Sequence, residues 1–275
     1  GFNNLEYSNQ STEGEYTSLA VGFSKEWAEQ DLFLSVGYAQ VEALVGNPMN
    51  SSVGYSSWTN FDAVDRDNPS LGVSEFEIPE RMSAYMRWSP TLFADLESRF
   101  SLTWSHNKGR PYSFVFNGYP DMRGDALDGD GDNMLLYVPT GPNDPNVVFA
   151  DGFDTDAFFA TMDSYGFERG AFVDRGQHYS PWYARLNFKF EQMLPGLRTN
   201  DQSSVFFTIR NLGNFLNDEW GIYNFQSNHD IVDGQALNDG VDQYYIYRNF
   251  RGLRDKGRSG RGSSYLVKIG FSYRF

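Results

Sequence analysis

About seven stretches of this chain alternate apolar and polar side chains with a period of two, the pattern of β-strands whose two faces meet different surroundings. They cover residues 17–25, 32–41, 81–88, 98–106, 182–190, 204–211 and 264–275. The connections between them are short and long in strict turn, and this regularity constrains the fold more than any other feature. A soluble antiparallel meander has no reason to alternate its loop lengths so consistently.

Cations lie on the polar face of several predicted strands, among them Arg81, Arg87, Arg99 and Arg185. These cations fit a water-filled interior better than a dry hydrophobic core, because burying an unpaired charge costs several kcal/mol of folding free energy. The pattern therefore predicts an all-β fold, a transmembrane antiparallel β-barrel with short periplasmic turns and long extracellular loops. In this orientation Trp104 and Trp182 lie near the outer rim of the barrel.

Composition excludes several classes of protein. No apolar run approaches the roughly 18 residues of a membrane-spanning helix. The net charge of -14 argues against nucleic acid as a partner, and the absence of cysteine excludes disulfides and thiolate chemistry. The three histidines, His106, His178 and His229, are expected in connections and form no metal-ligand spacing or recognisable triad. We therefore expect no enzymatic activity.

The last predicted strand carries apolar or aromatic side chains at every second position and ends on Phe275, preceded by Phe271 and Tyr273. This arrangement resembles the C-terminal signal that outer-membrane proteins present to the barrel assembly machinery. The resemblance implies that these three residues form an assembly signal. It also explains an aromatic chain end, which would otherwise fray in water.

A second resemblance covers nearly the whole chain. Residues 204–221, "SVFFTIRNLGNFLNDEWG", are similar to the penultimate strand of TonB-dependent receptors, with an Asn-Leu-Phe type motif. That motif falls on Asn211, Leu212, Phe215, Leu216 and Asn217. Together with "SPWYARLNFKF" and the Asp-rich "DGDGDNMLLYVP", the chain resembles the C-terminal part of the β-barrel in the Oar-like branch of this family.

This resemblance implies a bacterial outer-membrane transporter or receptor whose barrel has 22 strands. Residues 1–275 would be one C-terminal barrel segment, without the plug and the N-terminal strands. The expected partners are that missing barrel and plug segment, the TonB system acting through the plug, the barrel assembly machinery, and outer-membrane lipid and lipopolysaccharide. An open seven-stranded sheet would leave two unpaired edges in lipid, which supports the expectation of a completing segment.

The sharpest chemical motif is "DALDGDGDN", residues 125–133. Asp128, Asp130 and Asp132 alternate like the first ligands of a calcium loop, with glycines between them that let the backbone wrap a cation. The match to an EF-hand is incomplete, and Asp125 or the later acids of "DGFDTD" are the expected source of further oxygens. The pattern predicts a Ca²⁺ site in this loop, and a solvated acidic turn is the alternative.

A basic run near the C-terminus has one acid, Asp255, among six cations. The cations are Arg248, Arg251, Arg254, Lys256, Arg258 and Arg261. This run predicts a site for lipopolysaccharide phosphates or an anionic ligand, although solvated loop charge is the more frequent interpretation. Loop aromatics offer a similar choice between ligand contact and packing of one loop on another. These aromatics are Tyr55, Trp58, Phe61, Tyr112, Phe114 and Phe116.

Two other functions remain open at this point. A small complete outer-membrane barrel, with a strand within the first fifteen residues, would serve as an adhesin or a structural protein. A secreted calcium-binding β-sandwich such as a lectin is the third interpretation. The sequence does not identify a transported ligand, and periodicity predicts only the barrel, whereas the transport mechanism comes from the family resemblance.

Overall fold

The structure, a computed structural model, describes residues 13–93, 95–119, 133–198, 201–238 and 243–275. Strands are numbered β1 to β19 along the chain, and seven of them are long members of one sheet. These are β1 (Glu15–Trp27), β2 (Leu32–Val45), β4 (Glu80–Trp88), β6 (Leu96–Asn107), β13 (Tyr183–Pro195), β14 (Gln202–Arg210) and β19 (Leu266–Arg274). They correspond to the seven predicted stretches, so the mostly β architecture is confirmed. We call this sheet the long-strand sheet.

Every neighbouring pair of the long-strand sheet is antiparallel, and its strand order follows the chain, β1-β2-β4-β6-β13-β14-β19. The short links therefore lie at one end of the sheet and the three long connections at the other. These ends are called the short-link end and the loop end. In the described part of the chain, β1 and β19 each pair with one long strand, so they are the two edges of the sheet.

The remaining elements are short and belong to the links and connections. The strands are β3 (Gly72–Val73), β5 (Thr91–Phe93), β7 (Pro111–Tyr112), β8 (Phe114–Tyr119), β9 (Tyr137–Val138), β10 (Val147–Phe149), β11 (Ala171–Phe172), β12 (His178–Tyr179), β15 (Asn224–Phe225), β16 (His229–Asn238), β17 (Gln243–Phe250) and β18 (Gly257–Arg258). The helices are α1 (Gly54–Thr59), α2 (Thr155–Ser164), α3 (Leu212–Leu216), α4 (Gly260–Ser263) and a 3₁₀ turn at Ala28–Gln30. None of the helices in these ranges has the length and apolar character needed to cross a membrane.

The three long connections, residues 46–79, 108–182 and 211–265, build a second layer at the loop end, which we call the connection layer. Its main sheet has the order β10-β17-β16-β8, with β10 and β8 from the second connection and β16 and β17 from the third. The pairs at its two edges are parallel, and the central pair is antiparallel. The alternation of polar residues in the sequence did not predict this interleaved sheet.

The hydrophobic core lies in the connection layer and not in the long-strand sheet. Its buried side chains include Phe114, Phe116, Leu136, Phe158, Met162, Ile231 and Tyr247. Among the described residues, Ile209 is the one fully buried hydrophobic side chain on a long strand. Four of the loop aromatics, Trp58, Phe61, Phe114 and Phe116, are buried, which confirms packing for them, whereas Tyr55 is 46% exposed.

Asn211 joins the two parts of the molecule. It follows β14 directly, adopts a left-handed conformation with φ of 55°, and is buried. Its side-chain amide donates to the carbonyls of Gly221 at 2.9 Å and Ser263 at 3.0 Å, and its backbone N–H donates to Asn187 Oδ1 at 2.9 Å. Asparagine tolerates this backbone region better than most residues. Gly221 is tightly fitted here, because a Cβ atom would lie 2.0 Å from Asn211 Oδ1.

We expect Asn211→Ala to lower the free energy of unfolding by roughly 2–4 kcal/mol, because two buried carbonyls lose their donor. The matched control is Asn217→Ala. Asn217 is partly exposed, and its side chain accepts one local hydrogen bond, from the Glu219 N–H. Thermal or denaturant unfolding of the two purified variants measures the difference. Equal stability of both variants would contradict this role of Asn211.

Candidate functional site

One face of the long-strand sheet is apolar from edge to edge. Register places one side chain from each long strand in a single row, which begins at the short-link end on β1 and β2 and lies mid-strand on β13, β14 and β19. The row is Trp27, Leu32, Trp88, Phe100, Phe190, Phe207 and Ile269. Within it the Phe100 ring lies 5.3 Å from Trp88 and 4.9 Å from Phe190 between centroids. The sheet therefore has a continuous apolar band at this level.

The apolar face continues toward the loop end. A second row contains Phe23, Val36, Ala84, Trp104 and Leu186. Along β2 the face extends from Leu32 to Tyr38, which is about 20 Å at 3.3 Å per residue. Many of its side chains are exposed, with Ile269 at 76% and Phe271 at 64%.

The loop end of this face carries its own aromatic group. His106 lies between Trp104 and Trp182, with ring centroids 5.7 Å and 4.8 Å away. Both tryptophans therefore lie at the loop end, where they were expected. The expectation that every histidine lies in a connection is wrong for His106, which is in β6. Its neighbours Trp104 and Ser105 follow the strand alternation, so the period could have identified its place.

The opposite face is polar and carries the expected cations. One row crosses the sheet through Glu26, Phe33, Arg87, Ser101, Lys189, Thr208 and Lys268. Acids on the same face partner several cations, with Arg87 at 3.5 Å from Glu26, Lys189 at 2.8 Å from Glu191, and Arg99 at 3.7 Å from Glu191. The two faces of one sheet thus differ as a lipid-facing surface differs from a water-facing one.

A cavity of about 370 Å³ opens where the three long connections meet. Asp62, from the first connection, accepts hydrogen bonds from Asn228 Nδ2 at 2.8 Å and 2.9 Å. Asn228 Oδ1 in turn accepts the Ser113 N–H at 2.9 Å. Burial raises the pKa of the Asp62 carboxyl and the nearby Glu75 adds to this rise, whereas Ser113, Asn228 and Arg175 act in the opposite direction. An acidic group from one connection is therefore held by the other two.

Arg175 fixes a wall of this cavity. Its guanidinium donates to the Gly46 carbonyl at 2.6 Å and also to the Val45 carbonyl, at the end of β2. The ring of Phe61 lies 5.6 Å away. Gly72 leaves the necessary space, because a Cβ atom there would lie 2.7 Å from Arg175 Cβ. Arg175 thereby attaches the second connection to the long-strand sheet through backbone acceptors.

A second cavity, of about 770 Å³, lies beside the first and shares Tyr112 and Gln226 with it. Its wall includes His229, whose Nδ1 accepts the Arg254 N–H at 2.9 Å. Burial lowers the pKa of His229 to about 4, although Asp230 acts to raise it. Burial also lowers the pKa of His178 and raises the pKa of Tyr112 to about 12. Tyr112 and His229 therefore contribute uncharged rings to the lining of this cavity.

The basic run is less unpaired than its sequence predicts. Arg254 forms a bidentate ion pair with the buried carboxylate of Asp230. Arg251 lies 3.3 Å from Asp233 and 3.9 Å from Asp230. Both acids belong to β16, which is distant in sequence from the run, so the spacing of charges along the run could not indicate them.

The other four cations of the run have different neighbours or locations in the connection layer. Arg248 donates to Gln235, Arg258 donates to the Asp218 carbonyl at 3.5 Å, Lys256 lines the second cavity, and Arg261 lies in α4. These four cations therefore have no partner in common among the contacts of the described residues. Whether they bind lipopolysaccharide phosphates stays a prediction.

The proposed calcium ligands, Asp125, Asp128, Asp130 and Asp132, lie outside the described residues. Within the described ranges, no group of three or more acidic or histidine side chains is arranged to hold a metal ion. The C-terminal assembly signal is described: Phe271 and Phe275 are exposed, and the Tyr273 hydroxyl donates to Asp201. The calcium site and the assembly signal both stay predictions.

Comparisons with known proteins identify no relative. No protein-family model, no curated protein and no solved structure matches this chain.

We expect the folded state to lose stability as the pH falls from 6.5, the ordinary pKa of histidine, to about 4, the pKa of buried His229. In this window the unfolded chain binds more protons than the folded one, which opposes folding by on the order of 2–3 kcal/mol at the acid end. His229→Gln keeps an acceptor but does not titrate, so its melting temperature should fall less between pH 6.5 and 4. An unchanged pH slope would contradict this assignment.

Proposed function

We propose that this chain is the C-terminal part of the barrel of a TonB-dependent outer-membrane receptor or transporter. The observation that supports this most strongly is the separation of the two apolar regions. The connection layer has a buried core of its own, whereas the long-strand sheet presents an apolar face that is exposed on β1, β2, β4 and β19 and partly buried on β6, β13 and β14. In water such a face would be a large aggregation-prone patch.

In a bilayer the same face is favourable. Removing one large apolar side chain from water contributes roughly 1.5–3 kcal/mol, and each row of the sheet repeats this gain up to seven times. The polar face then lines the barrel interior, where water and the acids Glu26 and Glu191 compensate the strand cations. Trp27 and Trp88, at the short-link end, and the aromatic group around His106, at the loop end, would lie at the two interfaces of the membrane.

The edges of the sheet support a larger barrel. β1 and β19 each have one long neighbour in the described ranges, and open edges do not persist in hydrocarbon because their N–H and C=O groups stay unpaired. Further strands would complete the wall, up to the 22 that the family resemblance implies. A plug within that barrel would couple to the TonB system, and the chain itself would catalyse no reaction.

The connection layer is the proposed ligand-recognition part. It lies at the loop end, has a rigid core, and contains the two cavities, which meet at Tyr112. Loops supported by a rigid scaffold are common places for binding sites. With the loop end on the extracellular side of the outer membrane, this layer would be the first part of the protein to contact a ligand.

Mass spectrometry of a detergent-extracted native complex tests the larger barrel. We expect a companion polypeptide, or a covalently longer chain, that carries the plug and the remaining strands. If the folded, membrane-extracted particle contains the 31.3 kDa chain and no other polypeptide, the proposal is contradicted and a small barrel is favoured. Solubility without detergent would instead favour a secreted protein.

A charge placed on the apolar face tests the orientation of the sheet. We expect Val36→Arg to lower the yield of folded, heat-modifiable protein in outer membranes, because an arginine facing the bilayer midplane costs about 2–4 kcal/mol. Ser35→Arg is the matched control, since the adjacent side chain of β2 lies on the polar face. Equal yields of the two variants, measured by gel mobility with and without heating, would reject a lipid-facing apolar surface.

A further inference from the structure

We propose that the 370 Å³ cavity binds a short peptide of about two to four residues with free amino and carboxyl termini. Its lining carries two acids, Asp62 and Glu75, and two cations, Arg110 and Arg175, together with amide and aromatic side chains. The inference rests on the proposed receptor function for the route by which a peptide arrives, and it names the ligand class of that receptor. A cavity of this size is within the usual range for small ligands, roughly 300–1,000 Å³.

The acidic end is formed by Asp62 and Glu75. Asp62 lines the cavity and is positioned by Asn228, which donates to both of its oxygens, and a carboxylate oxygen can accept more than one hydrogen bond. Arg175 acts on this carboxylate through its charge and not through a hydrogen bond, because its guanidinium hydrogen bonds go to backbone carbonyls. Glu75 is exposed and close enough to act on Asp62 electrostatically. Two neighbouring carboxylates favour a cationic group, and a peptide ammonium supplies both charge and three donors.

The basic end is formed by Arg110, an exposed residue in the cavity lining. Its charge reaches Tyr223 of the third connection. Burial and Tyr183 raise the pKa of the Tyr223 hydroxyl, and Arg110 acts to lower it. The described part of the chain shows no ion pair for Arg110 within 4.0 Å. A guanidinium in this state is suited to a bidentate bond with a carboxylate.

The spacing of the two ends sets the length of the ligand. Arg110 and Ser113, which hydrogen-bonds Asp62, are three residues apart and flank the extended strand β7. Three extended residues span about 10 Å, and a bound peptide in the same conformation covers this distance with about three residues. Gln226 and Asn228 also lie along the lining; their amide N–H groups donate within the protein, so their amide oxygens are what they offer to the N–H groups of a bound peptide.

Titration calorimetry of the detergent-solubilised protein, in its complete assembly, with Ala-Ala-Ala tests the inference. We expect binding that weakens at least tenfold when the peptide is N-acetylated, and at least tenfold when it is C-amidated. Both comparisons use the unaltered protein, so they do not depend on any variant folding. Absence of binding at millimolar peptide, or equal affinity for the three peptides, would overturn the proposal.

Two variants assign the ends. Asp62→Asn should abolish the penalty for N-acetylation and keep the penalty for C-amidation, and Arg110→Gln should do the reverse. Asp151→Asn and Arg248→Gln make the same charge changes outside the cavity and should leave all three affinities unchanged. Both penalties persisting in both cavity variants would place the peptide elsewhere and overturn the assignment.

The failure of this inference is distinguishable from failure of the proposed function. Heat-modifiable mobility of the same preparations reports the membrane barrel independently of any ligand. If that mobility is intact and a neutral disaccharide displaces or replaces the peptide, the peptide inference is wrong while the receptor proposal stands. If the protein is water-soluble and still discriminates the peptide termini, the cavity assignment holds and the receptor proposal is wrong.

Discussion

The uninterrupted antiparallel pairing of neighbouring strands is the constraint on which the rest of the structure depends. Because each long strand pairs with the next in the chain, every second connection leaves the sheet at the same end. Residues 46–79, 108–182 and 211–265 are thereby brought together although they are far apart in sequence. The connection layer, its core and both cavities follow from this convergence. The same pairing fixes the register that separates apolar rows from polar ones, since a slip by one residue would exchange the two faces.

The two parts of the molecule solve the burial of apolar surface differently. The connection layer buries its aromatic side chains against one another, as a soluble domain does. The long-strand sheet leaves much of its apolar face uncovered, on β1, β2, β4 and β19. The contacts between the two parts are polar. Arg175 donates to carbonyls at the end of β2, and Glu77 accepts from the Ala43 N–H at 2.6 Å and from the Tyr179 hydroxyl at 2.6 Å. Asn211, directly after β14, donates to the Gly221 carbonyl of the third connection. Arg175 and Glu77 thereby pair backbone groups at the loop end of β2, and Asn211 pairs carbonyls within the third connection.

Electrostatic pairing within the connection layer is local, although the whole chain has a net charge of -14. Asp230 and Asp233 neutralise Arg254 and Arg251, and the Arg254 backbone N–H donates to His229. These bonds attach the segment after β17 to β16, and they keep the imidazole uncharged beside an ion pair. What looks like a basic cluster in the sequence is partly an internal contact. The cavity between the three connections is different, because Glu75 and Arg110 are exposed in its lining and Asp62 is held by the amide of Asn228.

The sequence by itself determined the seven long strands, their order of short and long links, and the division of each strand into an apolar and a polar face. These features are local, because a period of two and the residue types of turns are properties of consecutive residues. It also indicated that loop aromatics such as Trp58 and Phe114 pack together. Only the tertiary structure decided which residues of the three connections meet, so the parallel pairing of β8 with β16, the Asp62–Asn228 contact and the partners of Arg254 were not predictable. Such contacts join residues more than twenty, and in some cases more than a hundred, positions apart, and nothing in the local pattern specifies which distant carbonyl or carboxylate will satisfy a given side chain.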